Sequence, residues 1–391
     1  MLLPIVKLKI PRNSRHPWIY RKMVQAPRGV TLETGSLVEV RDKSGAFVGT
    51  AFYHPENTIA LRLVSEDRRE PVDQEFVKRR LAYAKNLRED TLRLDAQGDS
   101  YRLANAEADL LPGLVIDKFA DVLLIEPYSA GWLHLMDWVA ESLTTLYPGC
   151  RPAVRADARA AAKEGVSFAR LEKQYPAPDN VVITENGIRY RVDFLTGHKT
   201  GFFLDQRDNR ARVALLARGR RMLDLCSYTG GFALSAWKGG ASAVEAVDLD
   251  EKAIEAAKAN VELNAGSDSI RFIHADAFDI LRARDKKRPD LLILDPPKLA
   301  GSQEDVEKAL GIYRDLNRAA IAATAPGGIL LTCSCSGAVP EERWRRTVRQ
   351  AAVDAERGLT VFMNAGPGGD HPVAADFPQG RYLKAMFARV E

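Results

Sequence analysis

Short runs of alternating apolar and polar residues mark the first part of the chain. Two of them, 36–40 and 46–53, flank the turn sequence DKSG at 42–45, and a third covers 58–64. Alternation with a period of two predicts strands that bury one face, and a turn rich in Asp, Ser and Gly predicts a hairpin. We therefore expect a small β-barrel domain in residues 1–72.

The pattern becomes mixed in residues 73–190. Apolar residues recur at helical spacing from Gln74 to Leu94 and again around 133–146. Apolar runs of strand length lie between these helices, at 101–105, 114–117 and 122–126. This mixture predicts an α+β middle domain, and it contains no group of residues that indicates catalysis.

Short apolar strands alternate with amphipathic helices in residues 191–391. That alternation is typical of the doubly wound, mostly parallel sheet of an α/β, Rossmann-like domain. Four of the predicted strands end near an aspartate, at Asp224, Asp248, Asp276 and Asp295. Since the carboxyl ends of parallel strands meet at one edge of a sheet, we expect these carboxylates to face one ligand crevice.

The turn after the first of these strands, 227–231 (SYTGG), is built from small residues and leads into a helix. Small residues let the backbone approach a ligand, and a helix N-terminus offers free amide donors. The G-x-G-x-x-G pattern of dinucleotide sites is missing. Asp248 suits ribose hydroxyls and Asp276 suits an adenine amino group, so a nucleotide-type cofactor is expected.

Four motifs carry a resemblance to a known family. They are 196–207 (TGHKTGFFLDQR), 227–232 (SYTGGF), 295–298 (DPPK) and 334–337 (SCSG). In this order they resemble the RlmI-type 23S ribosomal RNA (cytosine-5-)-methyltransferases, which are class I methyltransferases with an N-terminal PUA domain. The resemblance covers essentially the whole chain.

The resemblance implies that the cofactor is S-adenosylmethionine. Asp224, Ser227 and Gly230 would lie by its methionine part, Asp248 by its ribose, and Asp276 with Ala277 by its adenine, while Gln206 would close the site from outside the sheet. The implied cofactor-binding residues are Gln206, Asp224, Ser227, Tyr228, Gly230, Asp248, Asp276, Ala277 and Asp295.

Two cysteines compete for the role of nucleophile. In the strand predicted over 330–335 both thiols point to the same face, because alternate side chains share a side, and Cys335 lies nearer the carboxyl end. The family pattern places its cysteine at Cys335, which leaves Cys333 as a packed neighbour.

The implied reaction is methylation at C5 of cytosine, with Cys335 and Asp295 as the catalytic residues. C5 is a poor nucleophile until a thiolate adds to C6, and Asp295 would face the edge of the base. Lys298 is a candidate source of the positive charge that lowers a thiol pKa. The group that removes the C5 proton stays open among Asp295, Asp370, His371, Asp376 and water.

Basic residues open the chain ahead of its first acidic residue, Glu33: Lys7, Lys9, Arg12 and Arg15 are among them. Such a run predicts a surface that attracts phosphate, although a solvated basic arm would look the same. With the barrel pattern it resembles the PUA RNA-binding module. The family resemblance implies 23S ribosomal RNA as the partner, and Lys298 is a further candidate RNA contact.

Composition narrows the class of protein. No apolar run approaches the ~20 residues of a membrane span, and the residues before Pro4 are too few for a signal peptide, so a cytoplasmic protein is expected. The four cysteines are too few and too unevenly spaced for a disulfide framework, and no histidine gives them zinc spacing, so no metal is expected. A homodimer is compatible with the sequence.

Alternative functions stay open at this point. Uracil-5 methylation uses the same kind of nucleophile and acid, and a non-catalytic RNA-binding or ribosome-assembly factor could retain the fold. Methylation of a purine amine usually needs an aromatic residue where this chain has Lys298. A small-molecule methyltransferase would not need the basic barrel.

Overall fold

The chain forms two compact units. The computed structural model describes residues 3–27, 31–195, 201–266, 270–283 and 288–391. The first unit comprises 1–183 with 369–380, and the second comprises 184–368 with 381–391. The predicted domains 1–72, 73–190 and 191–391 stay a prediction.

A five-stranded sheet occupies the N-terminal part of the first unit. Its strands are β1 (Ile5–Lys7), β2 (Trp18–Tyr20), β3 (Leu37–Arg41), β4 (Phe47–Tyr53) and β5 (Ile59–Ser65), in the order β1-β3-β4-β5-β2. Val38 and Val40 of β3 are fully buried, while their neighbours in the strand are partly exposed. The predicted strands and the hairpin between β3 and β4 are confirmed.

The two edge strands of this sheet meet just beyond their ends. Lys9 N donates to Met23 O at 2.8 Å, and Gln25 N donates to Lys7 O at 2.9 Å. These bonds pair backbone N–H and C=O groups at the two sheet edges that would otherwise lack partners. The sheet therefore closes into the small barrel that the alternation predicts.

The rest of the first unit is a four-stranded sheet with helices. Its elements are α1 (Gln74–Asn86), β6 (Ser100–Asn105), β7 (Leu114–Phe119), β8 (Val122–Pro127), α2 (Trp132–Leu146), β9 (Arg151–Val154), α3 (Ala158–Glu164) and α4 (Ala169–Gln174). The order is β6-β7-β8-β9, and only β8 and β9 pair in parallel. The α+β prediction for this region is confirmed.

The first helix is shorter than its pattern predicts. It ends at Asn86, and the chain continues as a wider π-type turn over Leu87–Thr91 instead of reaching Leu94 as an α-helix. Arg88 in that turn is fully buried and forms two hydrogen bonds to the Asp109 carboxylate, at 2.5 and 2.8 Å. The turn thus coincides with a buried ion pair that helical periodicity does not reveal.

The segment 369–380 belongs to the first unit although it lies near the end of the chain. The Asp370 carboxylate accepts a hydrogen bond from Arg102 N at 3.0 Å, and Asn105 donates to Pro372 O at 2.9 Å. The Phe377 ring packs edge-on against Trp18, with ring centroids 4.6 Å apart.

Helices flank a seven-stranded sheet in the second unit. Its elements are β11 (Ile188–Asp193), α5 (Arg207–Ala217), β12 (Arg221–Leu225), α6 (Gly231–Lys238), β13 (Ala243–Asp248), α7 (Glu251–Leu263), β14 (Ile270–His274), α8 (Ala277–Arg282), β15 (Leu291–Leu294), α9 (Val306–Ala323), β16 (Ile329–Ser334), α10 (Glu341–Asp354), β17 (Leu359–Ala365) and β18 (Lys384–Val390). The chain enters this unit through β10 (Asn180–Glu185), which pairs with β11 as a separate two-stranded sheet.

The strand order of the large sheet is β14-β13-β12-β15-β16-β18-β17. The first five strands are mutually parallel, and β18 is antiparallel to both of its neighbours. The order reverses between β12 and β15, so their carboxyl ends open the crevice where such sheets bind ligands. The predicted doubly wound α/β fold is confirmed.

In the part of the chain that the structure describes, no helix has both the length and the apolar character needed to cross a membrane.

We expect Asp109→Asn to destabilise the first unit strongly. The substitution leaves the Arg88 guanidinium buried without its counter-charge, and breaking a buried pair on one side typically costs about 3–5 kcal/mol. Urea denaturation followed by tryptophan fluorescence measures the free energy of unfolding.

The matched control is Asp67→Asn, which removes an exposed partner of Arg69 whose side chain is 90 % accessible. A surface pair of that kind contributes at most about 1 kcal/mol. Equal losses in the two variants would contradict the role given to the buried pair.

Candidate active site

A cavity of about 710 Å³ lies at the carboxyl edge of the large sheet. Of the residues singled out from the sequence, it is lined by Gln206, Ser227, Tyr228, Asp248, Asp276, Ala277, Asp295, Lys298 and Cys335. Asp224 is fully buried beside these residues in β12, and Gly230 lies in the turn between β12 and α6. The structure therefore brings the expected cofactor residues and both expected catalytic residues to one place.

The turn between β12 and α6 has an unusual backbone. Cys226, Tyr228 and Gly230 have positive φ angles of 61°, 49° and 81°. Only glycine adopts this region readily, so Cys226 and Tyr228 are held in a strained conformation. The Asp248 carboxylate helps to hold it, because Oδ2 accepts a hydrogen bond from Tyr228 N at 2.7 Å.

Two of the predicted cofactor acids also have local structural roles. Oδ1 of Asp248 accepts from Asp250 N at 2.9 Å, at the start of α7. Oδ1 of Asp276 accepts from Phe278 N at 2.7 Å and caps α8. A carboxylate oxygen has two lone pairs, so both acids keep acceptor capacity towards the cavity that they line.

Asp224 is a buried carboxylate among other carboxylates. Its Oδ2 accepts from Ala233 N at 3.1 Å, while Oδ1 has no hydrogen-bond partner among the described residues. Burial, with the charges of Asp295 and Asp248, raises the pKa of Asp224 well above its usual value. A positively charged ligand beside these groups would relieve that cost.

Gln206 orients Asp295 as well as lining the cavity. Its Nε2 donates to Asp295 Oδ2 at 2.9 Å, and its Oε1 accepts from Asn209 Nδ2 at 2.6 Å. Asn209 also donates to Gly366 O at 3.1 Å, so the Asp295 side chain is tied into the unit through two amides. The role of Asn209 has no signal in the sequence other than its distance of one helical turn from Gln206.

Cys335 and Cys333 have different surroundings. The strand β16 ends at Ser334, one residue earlier than predicted, so the alternation that would place both thiols on one face does not reach Cys335. Cys335 lines the cavity, whereas Cys333 is fully buried in the strand.

The other nearby thiols are held in the protonated form. Burial, followed by the charges of Asp248 and Asp295, raises the pKa of Cys226. Burial also raises the pKa of Cys333 well above its usual value, with Asp295 adding to the effect. Neither is suited to supply a thiolate at neutral pH.

The two serines that flank Cys335 fix its position, and sequence reasoning missed this. Ser334 Oγ donates to Tyr313 Oη at 2.9 Å, and Tyr313 Oη is 3.0 Å from Ser336 Oγ. Ser336 Oγ also accepts from the backbone of Leu299 and Ala300, at 3.0 and 3.1 Å. The loop after Asp-Pro-Pro-Lys is therefore connected to the cysteine loop by buried hydroxyls.

The predicted RNA contacts lie in different parts of the chain. Lys7, Lys9 and Arg15 are exposed in the first unit, and Arg12 there donates to His16 O at 2.6 Å. Lys298 is exposed in the second unit. The first five residues of the 196–207 motif, 196–200, lie outside the described residues.

Among the residues described, no cluster of three or more His, Cys, Asp or Glu side chains could hold a metal ion.

The fold and the site define a class of protein. A family profile described as S-adenosylmethionine-dependent methyltransferase matches residues 173–355, and one described as PUA-like domain matches residues 11–66. A crystal structure of a methyltransferase complexed with SAH superposes with a TM-score of 0.79 at 21 % identity, covering 100 % of each chain. At that identity the likeness concerns the fold.

Curated relatives narrow the class further. The ribosomal RNA large subunit methyltransferase I of Shewanella denitrificans is 38 % identical over 98 % of this chain and 99 % of its own. The protein of that name from Aeromonas salmonicida is 39 % identical over 96 % of this chain and 95 % of its own. The chain therefore belongs to the ribosomal RNA large subunit methyltransferase I family, and the predicted resemblance is confirmed.

The cofactor of this class is S-adenosylmethionine, and the cavity fits it. The buried Ser227 Oγ and Asp224 Oδ1 lack hydrogen-bond partners within the described part of the chain. An amino-acid group with an ammonium can satisfy such acceptors, and the carboxylates suit a cofactor that carries a positive sulfonium.

We expect Asp224→Asn to stabilise the ligand-free protein at neutral pH. The folded-state pKa of Asp224 lies above the unfolded value of about 4, so stability falls as pH rises from about 4 to the folded pKa. The asparagine side chain does not ionise, so the variant does not lose this stability. Its Tm at pH 7 should be about 2 °C or more above that of wild type, with little difference near pH 4.

Calorimetry at both pH values checks this, with Asp279→Asn as the control because that carboxylate is 73 % accessible. Binding of S-adenosylhomocysteine should weaken in Asp224→Asn, since the attraction to its ammonium is lost. A lower Tm at pH 7 would contradict the expectation.

Proposed function

We propose that this protein transfers a methyl group from S-adenosylmethionine to C5 of a cytosine in 23S ribosomal RNA. The observation that carries the proposal is the common cavity that Cys335 and Asp295 share with the cofactor residues. The names of the relatives, which act on large-subunit ribosomal RNA, support the substrate class.

The chemistry requires a nucleophile on the enzyme. The Cys335 thiolate adds to C6 of the ring, and the electron pair of the C5–C6 double bond becomes available at C5. When bound, S-adenosylmethionine would supply the methyl group to C5 as its methyl–sulfur bond breaks, with neutral S-adenosylhomocysteine as the leaving group. A base then takes the C5 proton, the C5–C6 double bond re-forms, and the Cys335–C6 bond breaks to release the thiolate.

Asp295 is proposed to face the exocyclic amino group or N3 of the target base. The Gln206 amide orients this carboxylate by donating a hydrogen bond to its Oδ2. A hydrogen bond to a protonated N3 would offset the negative charge that develops on the ring. The orientation is set before the substrate arrives, so little reorganisation is needed in the reaction.

The base that removes the C5 proton is proposed to be Asp295 or a water molecule, while Asp370, His371 and Asp376 stay open as candidates. Asp295 lines the cavity. Asp370 and His371 belong to the first unit, where the Asp370 carboxylate bonds to Arg102 N and to His371 Nδ1. Asp376 is exposed in the same segment.

We expect wild-type protein to form labelled 5-methylcytidine from radiolabelled S-adenosylmethionine and unmodified, deproteinised 23S RNA. Cys335→Ser should lower the rate at least about a thousandfold, because loss of a covalent nucleophile removes the whole pathway. Nucleoside analysis of the digested RNA identifies the product.

Cys333→Ser is the matched control, since it changes a neighbouring thiol in the same segment and should retain most of the activity. Labelled 5-methyluridine, an N-methylpurine, or undiminished activity of Cys335→Ser would contradict the proposed substrate or nucleophile. A complete lack of transfer would favour an RNA-binding factor that kept the fold.

A substrate analogue separates cytosine from uracil more directly. Fluorine at C5 cannot leave as a cation, so an enzyme that has added to C6 and methylated C5 stays bound to the base. RNA carrying 5-fluorocytidine should give a complex with wild-type protein that survives denaturing electrophoresis, whereas 5-fluorouridine RNA should not. The opposite result would indicate a uracil-5 enzyme.

The N-terminal barrel is proposed to bind the RNA backbone. Lys7 and Lys9 are exposed, and the Arg15 side chain is 77 % accessible even though it lies 3.5 Å from Glu66. Arg12 is partly buried, so we give it a smaller part in phosphate binding. Lys298 is proposed to contact the backbone next to the target nucleotide.

We expect the double variant Lys7→Gln/Lys9→Gln to bind RNA more weakly and with less salt dependence. Each lost phosphate contact should lower the slope of log K against log salt by about 0.7–0.9. Filter binding between low and physiological salt measures the slope. Lys163→Gln/Lys173→Gln, at two exposed lysines of the same unit, should keep the wild-type slope.

A further inference from the structure

Lys384 is a buried cation next to the cysteine loop. It is the first residue of β18, and its Cα is paired with Ser334, the residue before Cys335. Its exposed fraction is 3 %. A lysine is rarely buried to that extent unless something nearby compensates its charge.

The ammonium lies against the backbone that follows Cys335. Its Nζ donates to Ser336 O at 2.7 Å and to Val339 O at 3.0 Å. These bonds hold the loop between β16 and α10. No carboxylate in the described ranges lies within 4 Å of Nζ, so carbonyl dipoles are its direct partners.

Ionisable groups near Lys384 include Cys335, Glu341 and Tyr313. Burial lowers the pKa of Lys384 to about 8, while Cys335 and Glu341 act in the opposite direction. Glu341, at the start of α10, is shared with Arg345 and Arg381. The Tyr313 hydroxyl of α9 bonds to Ser334 and Ser336, and burial raises its pKa, so it stays neutral.

We propose that Lys384 is a positioning residue that holds the Cys335 loop and stabilises the Cys335 thiolate from behind the loop. Its importance for methyl transfer rests on the function proposed above, in which Cys335 is the nucleophile. An electrostatic interaction is mutual: if the thiolate favours the ammonium, the ammonium favours the thiolate to the same extent. Lys384 does not line the cavity, so it acts through Cys335 and does not touch the substrate.

Lys384 replaces Lys298 as the proposed source of positive charge for Cys335. The Lys298 side chain is exposed, where water screens its charge. Lys384 is shielded from water and bonded to the loop that carries the thiol. A charge in that position acts more strongly on the thiol.

The test is the pH dependence of Cys335 alkylation in the ligand-free, full-length protein. Iodoacetamide reacts with the thiolate, and peptide mass spectrometry follows Cys335 separately from the other cysteines. We expect Lys384→Gln to raise the midpoint of the alkylation profile by about 1–2 pH units relative to wild type. At a pH below both midpoints, Cys335 of Lys384→Gln should be alkylated about tenfold more slowly than in wild type for each pH unit of that shift.

Lys384→Arg separates charge from hydrogen bonding. Both substitutes carry N–H donors, but only arginine keeps the charge, so its midpoint should stay near that of wild type. Arg389→Gln, which removes an exposed charge from the other end of β18, should also leave the midpoint unchanged.

Equal midpoints in Lys384→Gln and Lys384→Arg would overturn the proposal, and so would an equal shift in Arg389→Gln. The comparison does not depend on methyl transfer. If Cys335→Ser retains activity, the proposed nucleophile is wrong while the alkylation result still decides the role of Lys384.

Discussion

The carboxyl edge of the parallel sheet concentrates negative charge, and the rest of the site is arranged around that constraint. Asp224, Asp248, Asp276 and Asp295 come from four strands that end at the same edge. Burial and two of these neighbours raise the pKa of Asp224 well above its usual value. Such an edge favours a ligand with positive charge, and S-adenosylmethionine carries both an ammonium and a sulfonium.

The same negative charge makes a thiolate difficult to form nearby. Cys226 lies in the turn between β12 and α6, and burial and the surrounding aspartates raise its pKa. The pKa of Cys333, which lies inside the sheet, is also raised. Cys335, the proposed nucleophile, lies just beyond the end of β16, and Lys384 of β18 is its proposed source of positive charge.

The two loops of the proposed chemistry form one connected structure. The Ser336 hydroxyl joins the loop after Asp295 to the loop of Cys335, and Tyr313 joins Ser336 to Ser334. On the other side, Gln206 and Asn209 fix the Asp295 carboxylate. The groups that are proposed to meet the base are thus positioned by buried bonds with little freedom to move.

The strained turn between β12 and α6 belongs to the same arrangement. Its positive φ angles at Cys226 and Tyr228 are unfavourable for residues with a Cβ. The bond from Tyr228 N to Asp248 compensates part of that cost. An acid expected to bind the cofactor therefore also shapes the loop that surrounds it.

Sequence alone determined the alternation of strands and helices, the doubly wound fold, and the aspartates at the strand ends, because side-chain periodicity and strand-end residues are local features. It also pointed to Cys335 and Asp295 through short motifs. Only the tertiary structure decided the end of α1 just before the buried Arg88, the membership of 369–380 in the first unit, and the parts played by Asn209, Tyr313 and Lys384. Those features depend on contacts between residues that the fold brings together from separate strands, helices and loops, and such contacts leave no periodic pattern in the chain.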